Sequence, residues 1–245
     1  KFEDDIRNAF ASGYRAVLGV LPTGGGKTVC GASMISKTIA NKRKDGKPKR
    51  VWVLAHRIEL LRQFHGTLGK FGINAGFINP IYSPNYRAWV QVGSIQTVIK
   101  RTDIFKGELA PDLIIVDEAH HSPSPTYKTV LAQFPEAKII GLTATPIRTD
   151  GKGLGVNSGG VFESMVLGPQ IQDLIDRGRL VRTVLYYPPN AVNMDGVDII
   201  RGDYDKTQSI ERVDRPSITG DAIAHYKKYI PGLPAIVFCI NVAHA

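Results

Sequence analysis

The sequence predicts an α/β fold in which helices cover both faces of a mostly parallel, doubly wound sheet. Five apolar runs have the length of buried strands, helix-compatible stretches separate most of them, and a polar cluster follows each one. The runs are residues 15–21, 50–55, 89–93, 113–116 and 138–142. Such alternation is typical of parallel sheets. In these sheets ligands bind beyond the carboxyl ends of the strands.

The first apolar run leads into LPTGGGKT, residues 21–28, and a segment with helical spacing follows. The three glycines can adopt backbone angles that a Cβ forbids, so their N–H groups can converge on an anion at the start of the helix. Lys27 can add a positive charge at the β- and γ-phosphates, and the Thr28 hydroxyl can ligate Mg²⁺. The predicted phosphate-binding residues are Thr23, Gly24, Gly25, Gly26, Lys27 and Thr28. The alternative is a plain flexible turn, because Leu21 stands where the usual G-x-x-x-x-G-K-[ST] pattern has its first glycine.

Polar clusters also follow the other four apolar runs. They are HR after residue 55, SIQT after residue 93, DEAH after residue 116 and TAT after residue 142. Because the carboxyl ends of parallel strands meet at one edge of a sheet, the five clusters should lie along that edge. The glycine turn and the acidic pair are expected at neighbouring strand tips, where they could enclose one magnesium–triphosphate unit.

The DEAH tetrad has a clear chemical use at the end of a buried strand. Asp117 can hold Mg²⁺ opposite Thr28, and Glu118 can orient and deprotonate the attacking water. The predicted catalytic residues are Glu118, Asp117 and Lys27, and the predicted metal ligands are Thr28 and Asp117. The alternative is an acidic helix start, where carboxylates favour the positive end of the dipole. The glycine turn some ninety residues earlier favours the metal site.

Composition limits the class of protein. The chain of 245 residues has 43% hydrophobic residues, and no apolar run approaches the roughly 20 residues of a membrane span. The first residues, KFEDD, do not resemble a signal peptide. The only cysteines, Cys30 and Cys239, lie far apart in apolar surroundings, which predicts buried thiols in a reducing compartment and a cytoplasmic location. The sequence shows no Cys and His cluster with metal-ligand spacing.

The formal net charge of +9 is unevenly distributed. Residues 41–50, NKRKDGKPKR, hold six basic residues and one acidic residue, which is more than half of the excess. A basic protein favours nucleic acid as a partner. This run precedes a strand, however, so it should lie at the edge opposite the nucleotide, as a solvated surface loop.

The ordered motifs resemble those of the superfamily-two DEAD/DEAH-box helicases and translocases. The matching segments are LPTGGGKT, VLAHRIELLRQ, GSIQT, VDEAHH and GLTATPIR. That superfamily often has a residue other than glycine at the position of Leu21. The run GLTATPIRTDGKGL is similar to the phage and repair-type branch, which includes XPB-like and restriction-subunit helicases. The resemblance implies a RecA-like P-loop NTPase domain with ATP and Mg²⁺ as cofactors.

The resemblance also implies roles for the remaining polar clusters. The residues that would couple nucleotide state to nucleic-acid grip are His120, Thr143 and Thr145. The residues that would contact nucleic acid are His56, Arg57, Ser94, Gln96 and Thr97, largely through the phosphate backbone. Simpler alternatives stay open. His56 and His121 could be hydrogen-bonded surface groups, Arg57 could pair with Glu59 or with another acid on the following helix, and Arg148 could be a loop cation. Trp52 and Trp89 are predicted to lie in the core.

Residues 1–178 are predicted to form the first RecA-like domain, and residues 179–245 a linker and the incomplete start of a second. Residues 150–160 contain five glycines and predict a mobile loop with little that could pack. Pro169 is expected in the first turn of a helix that stops at Gly178. Residues 179–189 should be a strand or linker, ITGDAIAHYKKYI an amphipathic helix and AIVFCI a buried strand. These last elements are too few for an independent core.

The function that the resemblance implies is an ATP-dependent helicase or translocase, with DNA favoured over RNA and no membrane partner. Motifs V and VI are not found, so the chain is expected to be an N-terminal fragment that binds ATP poorly and is nearly inactive alone. Motif VI arginines typically contribute about 10³–10⁵ in rate. The adenine-reading glutamine motif is expected before Lys1. The alternatives are a restriction-type subunit that pumps duplex without separating strands, and an NTPase that switches a protein partner.

Overall fold

The computed structural model of the protein describes residues 1–148, 151–185, 193–200, 203–213 and 216–239. These residues fall into two compact units, Lys1–Val181 and Arg182–Ala245. The assignment of residues 179–245 to a second RecA-like domain stays a prediction.

The first unit is built on a seven-stranded sheet in which all neighbouring strands are parallel. Its strands are Ala16–Val20 (β1), Val51–Ala55 (β2), Ala75–Ile78 (β3), Val90–Ser94 (β4), Leu113–Asp117 (β5), Lys138–Thr143 (β6) and Ser164–Leu167 (β7). The order across the sheet is β3-β4-β2-β5-β6-β1-β7. The predicted doubly wound α/β fold is confirmed.

Helices cover both faces of this sheet. They are Phe2–Ala11 (α1), Lys27–Ala40 (α2), Ile58–Lys70 (α3), Ile95–Val98 (α4), Pro125–Ala132 (α5) and Ile171–Asp176 (α6). Successive residues of β2 point to opposite faces: Val53 joins the core under α1, α2 and α3, and Trp52 joins the core under α4 and α5. Every β2 residue is buried, which is why the strand reads as a continuous apolar run.

All five predicted strands are present, but two further strands, β3 and β7, were not predicted. They occupy the two edges of the sheet. The expectation of neighbouring strand tips for the glycine turn and the acidic pair is wrong. The turn follows β1 and the pair follows β5, and β6 lies between these strands.

The glycine-rich segment after β6 packs more than its composition predicts. Residues 149 and 150 lie outside the described residues. In the remainder Leu154 is only 2% exposed and belongs to the core under α5, together with Phe162. The Leu154 carbonyl group accepts the N–H groups of Val161 and Phe162. The prediction that little in this segment could pack is therefore wrong, because the tight turns close the chain over Leu154.

Helix α6 begins later than predicted. Gln170 is its N-cap, and the Asp173 carboxylate accepts the Gln170 N–H at 2.8 Å. This capping interaction places Pro169 before the helix instead of in its first turn. The predicted stop is correct, since Gly178 follows the last turn with a φ of 66°.

The second unit contains a short antiparallel pair and two helices. The pair is Ile199–Ile200 (β8) with Asp203–Tyr204 (β9), and the helices are Lys206–Val213 (α7) and Pro216–Tyr229 (α8). Helix α8 confirms the predicted helix. Of residues 179–189, those described, 179–185, form no strand.

The predicted buried strand AIVFCI is wrong in its described part. Residues 235–239 form no strand, and Ile236, Val237 and Phe238 are 85%, 75% and 94% exposed. A strand needs a partner for its backbone groups. The described residues of this unit offer only the two-residue strands β8 and β9. Residues 240–245 lie outside the described part.

The basic run 41–50 lies at the amino edge of the sheet, the edge from which the strands start. Two of its arginines are structural. Arg43 forms an ion pair of 2.7 Å with Asp112, and Arg50 is buried and donates to the carbonyl groups of Glu108 and Ala88 at 2.7 and 3.0 Å. The expectation of a solvated loop is therefore wrong for these two residues.

The two tryptophans differ in burial. Trp52 is fully buried between two phenylalanine rings, as predicted. Trp89 is only half-buried, and the Arg50 guanidinium group lies 4.5 Å from its ring centre. No helix among the described residues combines the length and the apolarity that a membrane crossing requires.

Candidate active site at the carboxyl edge of the sheet

The glycine turn connects β1 to α2 at the carboxyl edge of the sheet, where the strands end. Gly24 and Gly26 have φ values of 77° and 82°, in the left-handed region that favours glycine. The Gly25 N–H donates to the Pro22 carbonyl at 2.9 Å, and a Cβ on Gly25 would lie 2.8 Å from that oxygen. All three glycines are thus required by the shape of the turn.

Helix α2 begins directly after this turn, with Gly26 as its N-cap and Lys27 as its first residue. The first N–H groups of a helix have no partner within it, so they point toward the turn as free donors. Lys27 and Thr28 are half-buried, and Thr23 is exposed. The turn and the start of α2 therefore form a preorganised anion site.

Asp117 is the last residue of β5 and is only 5% exposed. Burial, together with the negative charge of Glu118, raises its pKa to about 6. The Glu118 N–H, which donates to the Asp117 carboxylate at 3.1 Å, and the positive charge of Lys27 oppose this shift. Lys27 thus acts electrostatically on Asp117 from across β6.

A buried carboxylate with a raised pKa fits a cation site, because a bound cation would relieve the cost of its ionisation. Within the described chain no three His, Cys, Asp or Glu side chains are grouped to hold a metal ion. Mg²⁺ requires no such cage, since it keeps several waters and binds one or two protein oxygens beside phosphates. The Asp117 carboxylate and the Thr28 hydroxyl have this donor chemistry.

Glu118 has a left-handed backbone, with φ 49° and ψ 56°. It is the only residue other than glycine with positive φ in the described residues. This conformation costs an L-residue with a Cβ about 1–2 kcal/mol. Such strained residues concentrate at functional sites, where the surrounding structure holds them. The Glu118 carboxylate lies 3.4 Å from Nδ1 of His120.

The three predicted coupling residues form one hydrogen-bonded cluster between the tips of β5 and β6. Nδ1 of His120 lies 3.2 Å from the Thr143 hydroxyl and 3.5 Å from the Thr145 hydroxyl. The fully buried Thr143 donates its hydroxyl proton to the Thr145 carbonyl at 3.1 Å. Its oxygen also accepts the N–H of Thr145 at 3.1 Å, which ties the start of the following loop to the tip of β6.

Ring contacts connect this cluster to the tip of β2. The His121 ring lies 4.2 Å from the His120 ring and 4.0 Å from the His56 ring. Burial, aided by the neighbouring cationic groups, lowers the pKa of His121 to about 4 and also lowers the pKa of His56. Nδ1 of His56 is buried without a hydrogen-bond partner. His56 and His121 therefore meet edge to face, with 61° between the ring planes, and the alternative of a hydrogen-bonded surface group does not hold for the buried Nδ1 of His56. His121 itself is exposed.

The predicted nucleic-acid residues lie on the next strand tips. Arg57 is exposed at the start of α3, and among the described ion pairs it has none with Glu59. Gln96 is exposed and donates to the His56 carbonyl at 3.3 Å, which connects the tips of β4 and β2. The Ser94 hydroxyl donates to the Thr97 hydroxyl at 2.8 Å. Their contacts with nucleic acid stay a prediction.

An open cleft of about 780 Å³ lies between the loops that follow β5 and β6. His120, His121, Thr145 and Arg148 line it. The strand tips thus bring together the glycine turn, the acidic pair and the coupling cluster, while sequence reasoning missed the edge-to-face contact of His56 with His121. The signal that could have found it is the doubled histidine in DEAHH together with the histidine after β2.

Comparison with known proteins identifies the family. Residues 2–148 match the family described as "Type III restriction enzyme, res subunit". The chain is 28% identical over 221 residues to a 51.5 kDa protein of Lactococcus phage (isolate 7-9), covering 90% of this chain and 43% of that protein. It is 33% identical over 186 residues to IRC3 of Saccharomyces cerevisiae, provisionally named as an ATP-dependent helicase, covering 71% of this chain and 26% of that protein.

The fold is similar to that of the Pyrococcus furiosus Hef helicase domain, with a TM-score of 0.52 and 25% identity. The match covers 63% of this chain and 35% of the other. The chain spans less than half the length of the two relatives named above. The chain therefore belongs to the res-subunit family of type III restriction enzymes, a restriction-subunit-like group of superfamily-two helicases.

Proposed function

We propose that this chain is the ATP-binding RecA-like domain of an ATP-dependent DNA helicase or translocase. The observation that carries the proposal is the buried Asp117, which feels the positive charge of Lys27 across β6 and has a pKa raised to about 6. A carboxylate at this depth is costly without a cation, and a helix start with a lysine is suited to phosphates. Together they support a magnesium–triphosphate ligand.

In this proposal each group at the edge has a defined task. The N–H groups of the glycine turn and the Lys27 ammonium bind the β- and γ-phosphates. Thr28 and Asp117 hold Mg²⁺, which supplies neutralising charge to the phosphate oxygens when bound. Glu118, fixed by its strained backbone, orients the attacking water and accepts its proton.

Two contact routes lead away from Glu118, one to the interior of the coupling cluster and one to the surface that would bind nucleic acid. The first runs from Glu118 to His120 and on to the buried Thr143. The second runs from His120 through the rings of His121 and His56 to the neighbouring Arg57. We infer that loss of the γ-phosphate changes the positions of both Thr143 and Arg57.

DNA is the proposed partner because the family is that of restriction enzyme subunits. RNA is the second candidate, since phosphate contacts distinguish the two sugars poorly. A subunit that pumps duplex without separating strands is compatible with the same family. Strand displacement by the full-length protein would support a helicase, and triplex displacement without strand separation would support the pump. DNA affinity that does not fall with salt would favour an NTPase that acts on a protein partner.

Turnover by these 245 residues alone is proposed to be slow, because their sequence lacks the motif VI arginines that the resemblance places in a second domain. A cytoplasmic location is proposed from the free thiols Cys30 and Cys239; the prediction that they are buried is wrong, since both are only partly buried. Free thiols persist in reducing compartments.

Two substitutions in the full-length protein test the assigned chemistry. Glu118→Gln should keep ATP and Mg²⁺ binding and lower the ATPase rate by about 10²–10⁴, because it removes the proton acceptor. Lys27→Ala should lose ATP binding as well. The matched control is Lys37→Ala on the same helix, which removes only an ion pair with Glu3. A Glu118→Gln protein that turns over at the parental rate would disprove the assignment of the base.

A further inference from the structure

A column of stacked rings stands at the tip of β3, outside every motif assigned above. Tyr82 stacks on Phe77 with ring centres 4.4 Å apart and an angle of 24° between the planes. Phe77 in turn stacks on His65 at 4.2 Å and 17°. Nε2 of His65 lies 3.1 Å from the Ala75 carbonyl oxygen, which anchors the far end of the column. We call Tyr82, Phe77 and His65 the Tyr82 column.

The loop that presents Tyr82 is fixed by a buried side chain. The Asn79 side-chain oxygen accepts the N–H groups of Ile81 and Tyr82 at 2.9 and 2.8 Å, and Asn79 is only 1% exposed. Ile81 beside the ring is 62% exposed. The half-buried tyrosine therefore reaches the surface from a rigid loop, so little ordering entropy would be lost when a ligand stacks on it.

A cation lies at the end of the ring without covering its face. Nε of Arg62 donates to the Tyr82 hydroxyl at 2.6 Å, and the guanidinium carbon lies 5.8 Å from the ring centre. These two distances place the guanidinium group beyond the hydroxyl end of the ring. Phe77 stacks on one face of the ring, and Arg62 does not stack on the other face. Glu59, one turn earlier on α3, makes none of the described ion pairs with Arg62.

The position of the column follows from the order of the strands. β3 pairs in parallel with β4, so the residues after Ile78 lie at the carboxyl edge beside Ser94. Neighbouring strand tips are about 4.8 Å apart. A single strand of nucleic acid that contacts Arg57 on the tip of β2 and Gln96 on the tip of β4 would reach the tip of β3 next.

We propose that Tyr82 is a stacking platform for one base of a single nucleic-acid strand, and that Arg62 contacts an adjacent phosphate. An aromatic ring on a fixed support and a cation beside it are the two elements of sequence-independent single-strand binding. The inference rests on the proposed function and deepens it, because it extends the nucleic-acid surface by one strand tip beyond Ser94–Thr97.

The test is the affinity of the full chain for fluorescein-labelled oligothymidine, measured by anisotropy. Tyr82→Ala should weaken binding about fivefold or more, the effect of losing one stacked base. Tyr82→Leu still covers Phe77 with apolar surface but lacks a π-face, so it should weaken binding equally. Tyr82→Phe should bind like the wild type. The matched control is Tyr14→Ala, an exposed tyrosine just before β1 at the opposite edge.

A second measurement reports the contact directly. Irradiation of the complex with oligothymidine containing 5-iodouracil should crosslink Tyr82, and mass spectrometry of the digested protein would identify the modified peptide. If the wild type binds oligothymidine and both Tyr82→Ala and Tyr82→Leu bind it with the same affinity, this inference is overturned. The proposed function would then stay intact. A loss seen with Tyr82→Ala but not with Tyr82→Leu would also overturn it, because packing on Phe77 would then be the cause. If the wild type bound ATP but no oligonucleotide, the proposed nucleic-acid function itself would fail.

Discussion

The two edges of the same parallel sheet differ in how far their charged side chains are paired with opposite charge. At the amino edge Asp112 forms an ion pair of 2.7 Å with Arg43 and accepts the Arg50 N–H at 2.6 Å, so its negative charge has a cationic partner. At the carboxyl edge Asp117 shares its surroundings with a second acid, and its pKa is raised to about 6. His121 at the same edge has a pKa lowered to about 4.

The comparison teaches that the density of charge in the sequence does not locate a site. The most basic segment, residues 41–50, lies at the amino edge, where Arg43 and Arg50 hold loops together. At the carboxyl edge desolvation disfavours the charged forms of Asp117 and His121, as their shifted pKa values show. A ligand that supplies opposite charge stabilises such groups most, so the uncompensated edge is the one prepared for a ligand.

Removing the Asp112 carboxylate at the amino edge should have the largest effect on stability. Asp112→Ala leaves Arg43 without its partner and the Arg50 N–H without its acceptor, at a cost of about 2–3 kcal/mol in the free energy of unfolding. Urea unfolding followed by tryptophan fluorescence would measure it. The control is Asp45→Ala, which removes an exposed contact of 3.8 Å to the Lys47 ammonium and an exposed hydrogen bond of 3.0 Å from the Lys47 N–H, and should cost about 1 kcal/mol or less. Stability equal to that of the control would show that this edge is not held by Asp112.

At the carboxyl edge the corresponding substitution should stabilise the protein. Burial raises the pKa of Asp117 from 3.8 to about 6, so the protonated carboxyl favours folding at low pH, and this contribution is lost as the pH rises through about 6. The side chain at position 117 of the Asp117→Asn variant cannot ionise. Near pH 8, with chelator present, the free energy of unfolding of this variant should be about 1–2 kcal/mol higher than that of the wild type. Near pH 4 the two proteins should be equally stable. A stabilisation that did not depend on pH would rule out ionisation of Asp117 as its cause.

The smallest expected effect concerns DNA affinity. Lys42→Ser combined with Lys44→Ser removes two exposed cations at the amino edge and should leave the salt dependence of DNA binding unchanged. Arg57→Gln removes one cation at the carboxyl edge and should reduce the slope of log affinity against log salt by about one. The measurement is a salt titration of anisotropy on labelled DNA. If the salt slope changed more for the lysine pair than for Arg57→Gln, the DNA would bind at the amino edge and the prediction would be wrong.

The sequence was most informative about buried strands and about the tips that follow them. Every β2 and β5 residue is buried on both faces, so each strand reads as an unbroken apolar run. The edge strands lack this signal. The strand 75–78 is only four residues long and includes a glycine, and in 164–167 exposed and half-buried residues alternate. Both depend on pairing with a neighbour that local sequence does not show.

The candidate site was predicted as a set of residues but not as a set of contacts. Spacing placed His120, Thr143 and Thr145 at two strand tips, and only the fold shows that they share one hydrogen-bonded cluster. The run AIVFCI shows a case in which the sequence pattern predicts burial that the structure does not have. Its apolar composition predicts a buried strand, but burial requires surrounding elements, and in the described residues Phe238 is almost fully exposed.

At residue 118 the backbone conformation favours glycine, whereas the proposed mechanism requires a carboxylate. No single residue type satisfies both requirements. Glycine would adopt φ 49° without a steric penalty, but the proposed mechanism needs a carboxylate at this position to take a proton from water. A variant library screened for heat resistance alone would therefore enrich glycine at residue 118 and discard the acid. Variants of this chain selected for durability should accordingly be checked at this residue before they are used in an assay of turnover.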